Sequence, residues 1–116
     1  MCHVLVIEDE FLIATYIQMV LEENGATSVE VVATEREAVQ AALAKRPGVI
    51  TSDIKLAEGS GLKAVETIHA QAGPIPVIFI TSTPELCDVT GPHIRVVGKP
   101  AAEGAIKHAF LDMFPG

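Results

Sequence analysis

The chain has 116 residues, 49% of them apolar and 20% charged, which suits one domain with a sizeable core and excludes a disordered polymer. A formal net charge of −7 with only eight Lys and Arg argues against a phosphate-backbone binder, so direct nucleic-acid binding is not expected. Cys2 and Cys87 are far apart and lack metal-ligand spacing, and neither a signal peptide nor an apolar run of membrane-spanning length is visible; the expectation is a cytoplasmic protein with no membrane partner.

His3-Val4-Leu5-Val6-Ile7 is an uninterrupted aliphatic run, as expected of a strand buried on both faces of a parallel sheet, and it stops at Glu8-Asp9-Glu10. From Phe11 the period becomes helical. Ile13, Ile17, Val20 and Leu21 share a face, and Asn24-Gly25 supply the stop of a helix of about fifteen residues. Ser28 to Ala33 reads as a second strand, and Thr34 with Glu37 as a capping box opening a helix whose inner face is Ala38, Val39, Ala42 and Leu43. Lys45-Arg46 suit that helix's C-terminal dipole, and Pro47-Gly48 end it. The third strand, Val49 to Ser52, runs directly into Asp53.

A turn-rich loop, 55–61, follows, with Ser60 as the expected cap of a helix carrying Leu62, Val65, Ile68 and Ala72. Pro76 to Thr81 is a fourth strand. Thr83 and Pro84 could start a helix, which Gly91-Pro92 would keep short. Ile94 to Val97 is the fifth strand, followed by Gly98-Lys99-Pro100 and a last helix over Ala102 to Met113 that places Ile106, Ala109, Phe110 and Met113 on one face. Five strands alternating with five helices predict an α/β fold, a doubly wound parallel sheet with helices on both faces.

Ligands of such sheets bind beyond the carboxyl ends of the strands, and a flavodoxin-like order 2-1-3-4-5 would make strands 1 and 3 neighbours. Glu8, Asp9 and Asp53 would then share one rim, where three carboxylates need raised pKa values or a cation. Hard oxygen ligands suit Mg²⁺. Thr81 and Lys99 would border the same rim with a hydroxyl and a positive charge. Together these are the parts that phosphoryl transfer onto a carboxylate requires, with Asp53 as acceptor.

In the acidic pair Glu8-Asp9, in Asp53 after the third strand, Thr81 after the fourth and Lys99-Pro100 after the fifth, the sequence resembles the response regulator receiver (CheY-like) family over almost its whole length. The resemblance implies Asp53 as phosphoacceptor, Asp9 as a direct Mg²⁺ ligand, Glu8 as a ligand through water, and the Lys55 backbone carbonyl as a further ligand. Thr81 would move toward the phosphoryl group and Lys99 would pair with it. Lys55 and Thr83 occupy positions that in the family face the phosphoryl group. A histidine kinase or histidine phosphotransfer protein would be the donor, the downstream protein partner is open, and a homodimer is compatible with the family. The expectation is a stand-alone, single-domain response regulator over residues 1–116 of a two-component phosphorelay, a phosphoacceptor that catalyses its own modification rather than a conventional enzyme. Two departures stand out: Val96 occupies the position of the family's usual strand-5 aromatic, and the segment between Thr81 and Lys99 is short.

Taken singly, each motif has an ordinary reading. Acids favour a helix N-terminus, an aspartate suits a turn, threonines cap helices, and Lys-Pro is a common loop dipeptide. Histidines 3, 69, 93 and 108 lack common ligand spacing and read as structural. Three rivals share the sequence: a pseudo-receiver acting as an interaction module without phosphorylation, a phosphotransfer intermediate or phosphate sink, and a small flavodoxin-like cofactor binder or hydrolase. The last is disfavoured by acids where a phosphate-bearing cofactor needs a Gly-rich turn.

Overall fold

The computed structural model describes residues 2–113. Five strands, β1 (His3–Ile7), β2 (Ser28–Val32), β3 (Val49–Ser52), β4 (Val77–Thr81) and β5 (Ile94–Gly98), form one parallel sheet in the order β2-β1-β3-β4-β5. The crossovers carry α1 (Phe11–Glu23), α2 (Glu35–Ala44) and α3 (Gly61–Ala72), and α4 (Glu103–Met113) follows β5. This is the doubly wound, flavodoxin-like order expected from the alternation of elements.

Side chains on a strand point alternately to the two faces, and here that period divides the core in two. Val4, Val6, Ile78 and Ile80 pack with Ile17, Val20 and Leu21 of α1 and Ile106 and Phe110 of α4. Leu5, Ile7, Ile50, Val77 and Phe79 pack on the opposite face with Ala38 and Ala42 of α2 and Val65 and Ile68 of α3. Because β1, β3 and β4 are covered on both faces, β1 and β4 carry apolar runs without polar alternation, and β3 is buried throughout even at Thr51 and Ser52.

The helix boundaries follow local chemistry. Thr34 accepts from the Glu37 amide at 3.1 Å and so caps α2 as expected, while the return bond of Glu37 Oε1 goes to the Ala33 amide at 3.3 Å, one residue earlier than in a capping box. Ser60 accepts from the Lys63 amide and caps α3. At the end of α1, Asn24 donates to the Val20 carbonyl and Gly25 takes φ +112°, a value open to glycine at little cost.

Two expectations are corrected. Leu43 is 47% exposed rather than inward, because α2 presents the small pair Ala38 and Ala42 to the sheet and Leu43 lies about 140° around the helix from Ala38. The segment after β4 forms no α-helix. It makes a single 3-10 turn, Pro84–Leu86, and Thr83 does not cap it, since its hydroxyl pairs with Thr81 instead. Proline starts the turn, but no apolar face with helical spacing follows to repay its extension. The fold therefore has four α-helices among the described residues.

Candidate functional site

The register of β1 and β3 pairs Ile7 with Ser52, so the residues that follow each strand emerge side by side. The Asp53 amide donates to the Ile7 carbonyl at 3.0 Å, extending the ladder by one bond and fixing the acceptor candidate on the sheet rather than on a loose loop. On the other side of β1, the Glu8 amide donates to the Val32 carbonyl at 2.9 Å. Beyond β3, the β4–β5 pairing sets Thr81 opposite Gly98, and the Lys99 amide donates to the Thr81 carbonyl at 2.8 Å. Four strand ends thereby converge on one rim.

Lys99 ties them together. Its Nζ lies 2.7 Å from Glu8 Oε1 and 2.9 Å from Asp53 Oδ2, with the lysine and Glu8 side chains only 10% and 1% exposed. The remaining oxygen of Asp53 accepts from the Ile54 amide at 2.7 Å. Burial raises the pKa of Glu8, against the hydrogen bond and charge of Lys99 and the Glu10 amide that favour the carboxylate. For Lys99, burial acts to lower the pKa, but the hydrogen bonds and charges of Glu8 and Asp53 outweigh it and the net shift is upward. The expected crowding of acids is thus answered, in this state, by an ammonium group standing between two of them.

Asp9 faces the loop after β3, where its Oδ2 accepts from the Ala57 amide at 2.6 Å. Glu8, Asp9 and Glu10 each offer a carboxylate oxygen within 4.8 Å of the others, a hard-oxygen set that fits a divalent cation such as Mg²⁺. Glu10, the residue before α1, was read only as part of the acidic run, yet it belongs to this group. Lys55 is exposed and stands opposite Ser60 in an isolated antiparallel bridge. The buried Thr81 hydroxyl accepts from the Thr83 amide at 3.1 Å and lies 3.2 Å from the Thr83 hydroxyl.

Three supporting residues escaped the sequence reading. Gly61 lies so close to Asp53 that a Cβ there would fall 1.7 Å from the Asp53 carbonyl oxygen and 2.4 Å from Ser52 Oγ. Tyr16 donates its hydroxyl from α1 to the carbonyl of Ala101 at 3.1 Å, two residues beyond Lys99. Glu35 accepts from the Ser60 amide at 2.8 Å. Their partners are distant in sequence, and only the glycine, set among turn residues, gave any local signal.

A sequence model of the response regulator receiver domain matches residues 4–92. The chain belongs to the response regulator receiver domain family. It is 46% identical over 84 residues to the phyllosphere-induced regulator PhyR of Methylorubrum extorquens, covering 71% of this chain and 31% of that protein. Among solved structures it superposes on the REC domain of PhyR from Erythrobacter litoralis with a TM-score of 0.85 at 34% identity, over 98% of this chain and 91% of that one. PhyR of Bartonella quintana, described as an anti-anti-sigma factor, superposes with a TM-score of 0.81 at 37% identity, over 97% of this chain but 46% of that one. This receiver thus spans about a third of the PhyR it matches in sequence, and in PhyR the receiver is one part of a larger regulator. Among the described residues no helix is long and apolar enough to cross a membrane.

Proposed function

We propose that this receiver accepts a phosphoryl group on Asp53 from a phosphohistidine donor, a histidine kinase or phosphotransfer protein, and that the modification changes the binding of a protein partner. The observation that carries the reading is the Lys99 ammonium held between Asp53 and Glu8, positive charge fixed beside the acceptor before any substrate arrives. In the transfer, an Asp53 carboxylate oxygen forms the new bond to phosphorus while the phosphorus–nitrogen bond of the donor breaks and its electron pair returns to the imidazole. Asp53 keeps one oxygen on the Ile54 amide, which leaves the other, now on Lys99, to act as nucleophile.

Mg²⁺ would be held by Asp9 and Asp53 with the Lys55 backbone carbonyl, and by Glu8 through water, with Glu10 close by. When bound it supplies charge neutralisation for the phosphoryl oxygens. Lys99 would pair with the transferred group, and Thr81 would leave Thr83 to donate its hydroxyl to the same group. Phosphorylation then shifts a two-state equilibrium only as far as these contacts differ between the states. The likeness to an anti-anti-sigma factor puts anti-sigma proteins first among output partners to be tried.

A second reading is favoured by Val96, 40% exposed where the family usually has an aromatic: an interaction module that works without phosphorylation. Intact mass after incubation with acetyl phosphate and Mg²⁺ decides between them. Gain of one phosphoryl group by the native protein and none by Asp53→Asn is expected; no gain, or a gain that survives Asp53→Asn, would sink the phosphoacceptor reading.

A further inference from the structure

The loop between Asp53 and α3 is fastened at several points, and one of them belongs to no motif. Glu35, the first residue of α2, is half-buried, and its Oε1 accepts from the Ser60 amide at 2.8 Å while its own amide donates to the Glu58 carbonyl at 3.2 Å. Gly59, between those contacts, has φ +94°, and a Cβ on it would lie 2.5 Å from Glu35 Cβ and 2.7 Å from Oε1. Glu35 therefore grips the loop from both backbone sides, and the glycine lets it approach.

An acid in the first turn of a helix normally gains from the helix dipole and faces water. Glu37 already serves the end of α2, reaching back to the Ala33 amide, so Glu35 is not needed there. Its carboxylate is spent on another element, in a charge-assisted bond of the stronger kind. What it fixes is next to the acceptor. Ser60 stands opposite Lys55 in the antiparallel bridge, and the following residue, Gly61, donates to the Ile54 carbonyl at 2.8 Å with its α-carbon against the Asp53 carbonyl.

We propose that Glu35 is a positioning residue for the acceptor loop: by holding the Ser60 amide it fixes Lys55, and with it the backbone oxygen offered to the metal. This rests on the phosphoacceptor reading above. Glu35 touches no reacting atom, so it would act by limiting the motion of the loop that carries the Lys55 carbonyl, an outer-shell role of the kind whose loss lowers metal affinity about 10–100-fold.

The test compares the native protein with Glu35→Ala, Glu35→Gln and Thr34→Ala. Amide hydrogen exchange at Ser60 without Mg²⁺ reports the clamp, and the Mg²⁺ concentration giving half-maximal phosphorylation by acetyl phosphate reports its consequence. Expected for Glu35→Ala are exchange at Ser60 faster by about tenfold and a half-maximal Mg²⁺ concentration raised by about tenfold or more. Glu35→Gln, which keeps an acceptor oxygen, should restore most of both. Thr34→Ala weakens the same helix end without touching the loop, and it should leave the Mg²⁺ dependence unchanged. Unaltered Ser60 exchange in Glu35→Ala would overturn the clamp. Faster exchange with an unaltered Mg²⁺ dependence, or an equal Mg²⁺ shift in Thr34→Ala, would overturn the positioning role. Failure of the underlying reading shows separately, because the native protein would then take no phosphoryl group before any variant is compared.

Discussion

Replacing Lys99 with methionine keeps most of the unbranched stem and removes the charge that Glu8 and Asp53 share. At an effective dielectric constant near 20, contacts of 2.7 and 2.9 Å correspond to about 6 kcal/mol of attraction each. Much of that offsets the desolvation of three charged groups, and breaking a buried pair from one side costs about 3–5 kcal/mol in net terms. For a chain of this size the melting temperature should fall by roughly 10–20 °C.

The loss should also depend on pH. Burial raises the pKa of Glu8 in the folded state, so its contribution to stability is fully present below the ordinary carboxylate value and is lost as pH rises through the folded value. Removing Lys99 pushes that folded value further up. The pKa of Lys99 is itself raised, so its contribution in the native protein persists through neutral pH and fades only in alkali. The deficit of Lys99→Met, measured by urea unfolding, should therefore be smallest near about pH 5 and grow toward about pH 8. Adding Glu8→Gln should recover more than half of it, since the two sites are in contact and cannot be additive. A deficit under about 1 kcal/mol throughout, or one larger in acid, would refute the account of Lys99 as the buried counter-ion of the rim.

Two further substitutions test the supports of the site. Gly61→Ala puts a methyl group onto the Asp53 carbonyl, and because backbone cannot yield as a side-chain tip can, a loss at or above the upper end of about 1–3 kcal/mol is expected in urea unfolding; a loss below about 0.5 kcal/mol would show that the approach is not tight. Tyr16→Phe removes the hydrogen bond to the Ala101 carbonyl and should cost about 1 kcal/mol in thermal unfolding, with no change expected if that bond exchanges evenly with water.

The order of elements was legible because β1 and β4 are nearly unbroken apolar runs and the first three helices show a 3.6-residue period followed by Asn24-Gly25, Pro47-Gly48 and Gly73-Pro74 in turn. The strand ends were legible too, and with them the positions of Asp53, Thr81 and Lys99. What could not be read was which of these groups touch. That Lys99 would stand between Glu8 and Asp53, while Asp9 turns to the Ala57 amide, depends on contacts spanning 91, 46 and 48 residues. Leu43 was misplaced for a different reason: hydrophobicity suggested the inner face, whereas close packing of α2 and α3 on the sheet admits the alanines instead.

The connection from β4 to β5 has a topological consequence. Within residues 82–93 only Thr83 and Cys87 are even half-buried, and the 3-10 turn is the one piece of regular structure. Exposed backbone with so few contacts is where proteases cut and where inserted sequence is tolerated. Yet the parts on either side are joined by the full β4–β5 ladder and by packing of α1 on α4. A chain nicked near Asp88 should stay assembled, with Asp53 and Thr81 on one fragment and Lys99 on the other. The rim would then be reconstituted from two polypeptides, which makes this connection the natural place to split the protein for a complementation reporter.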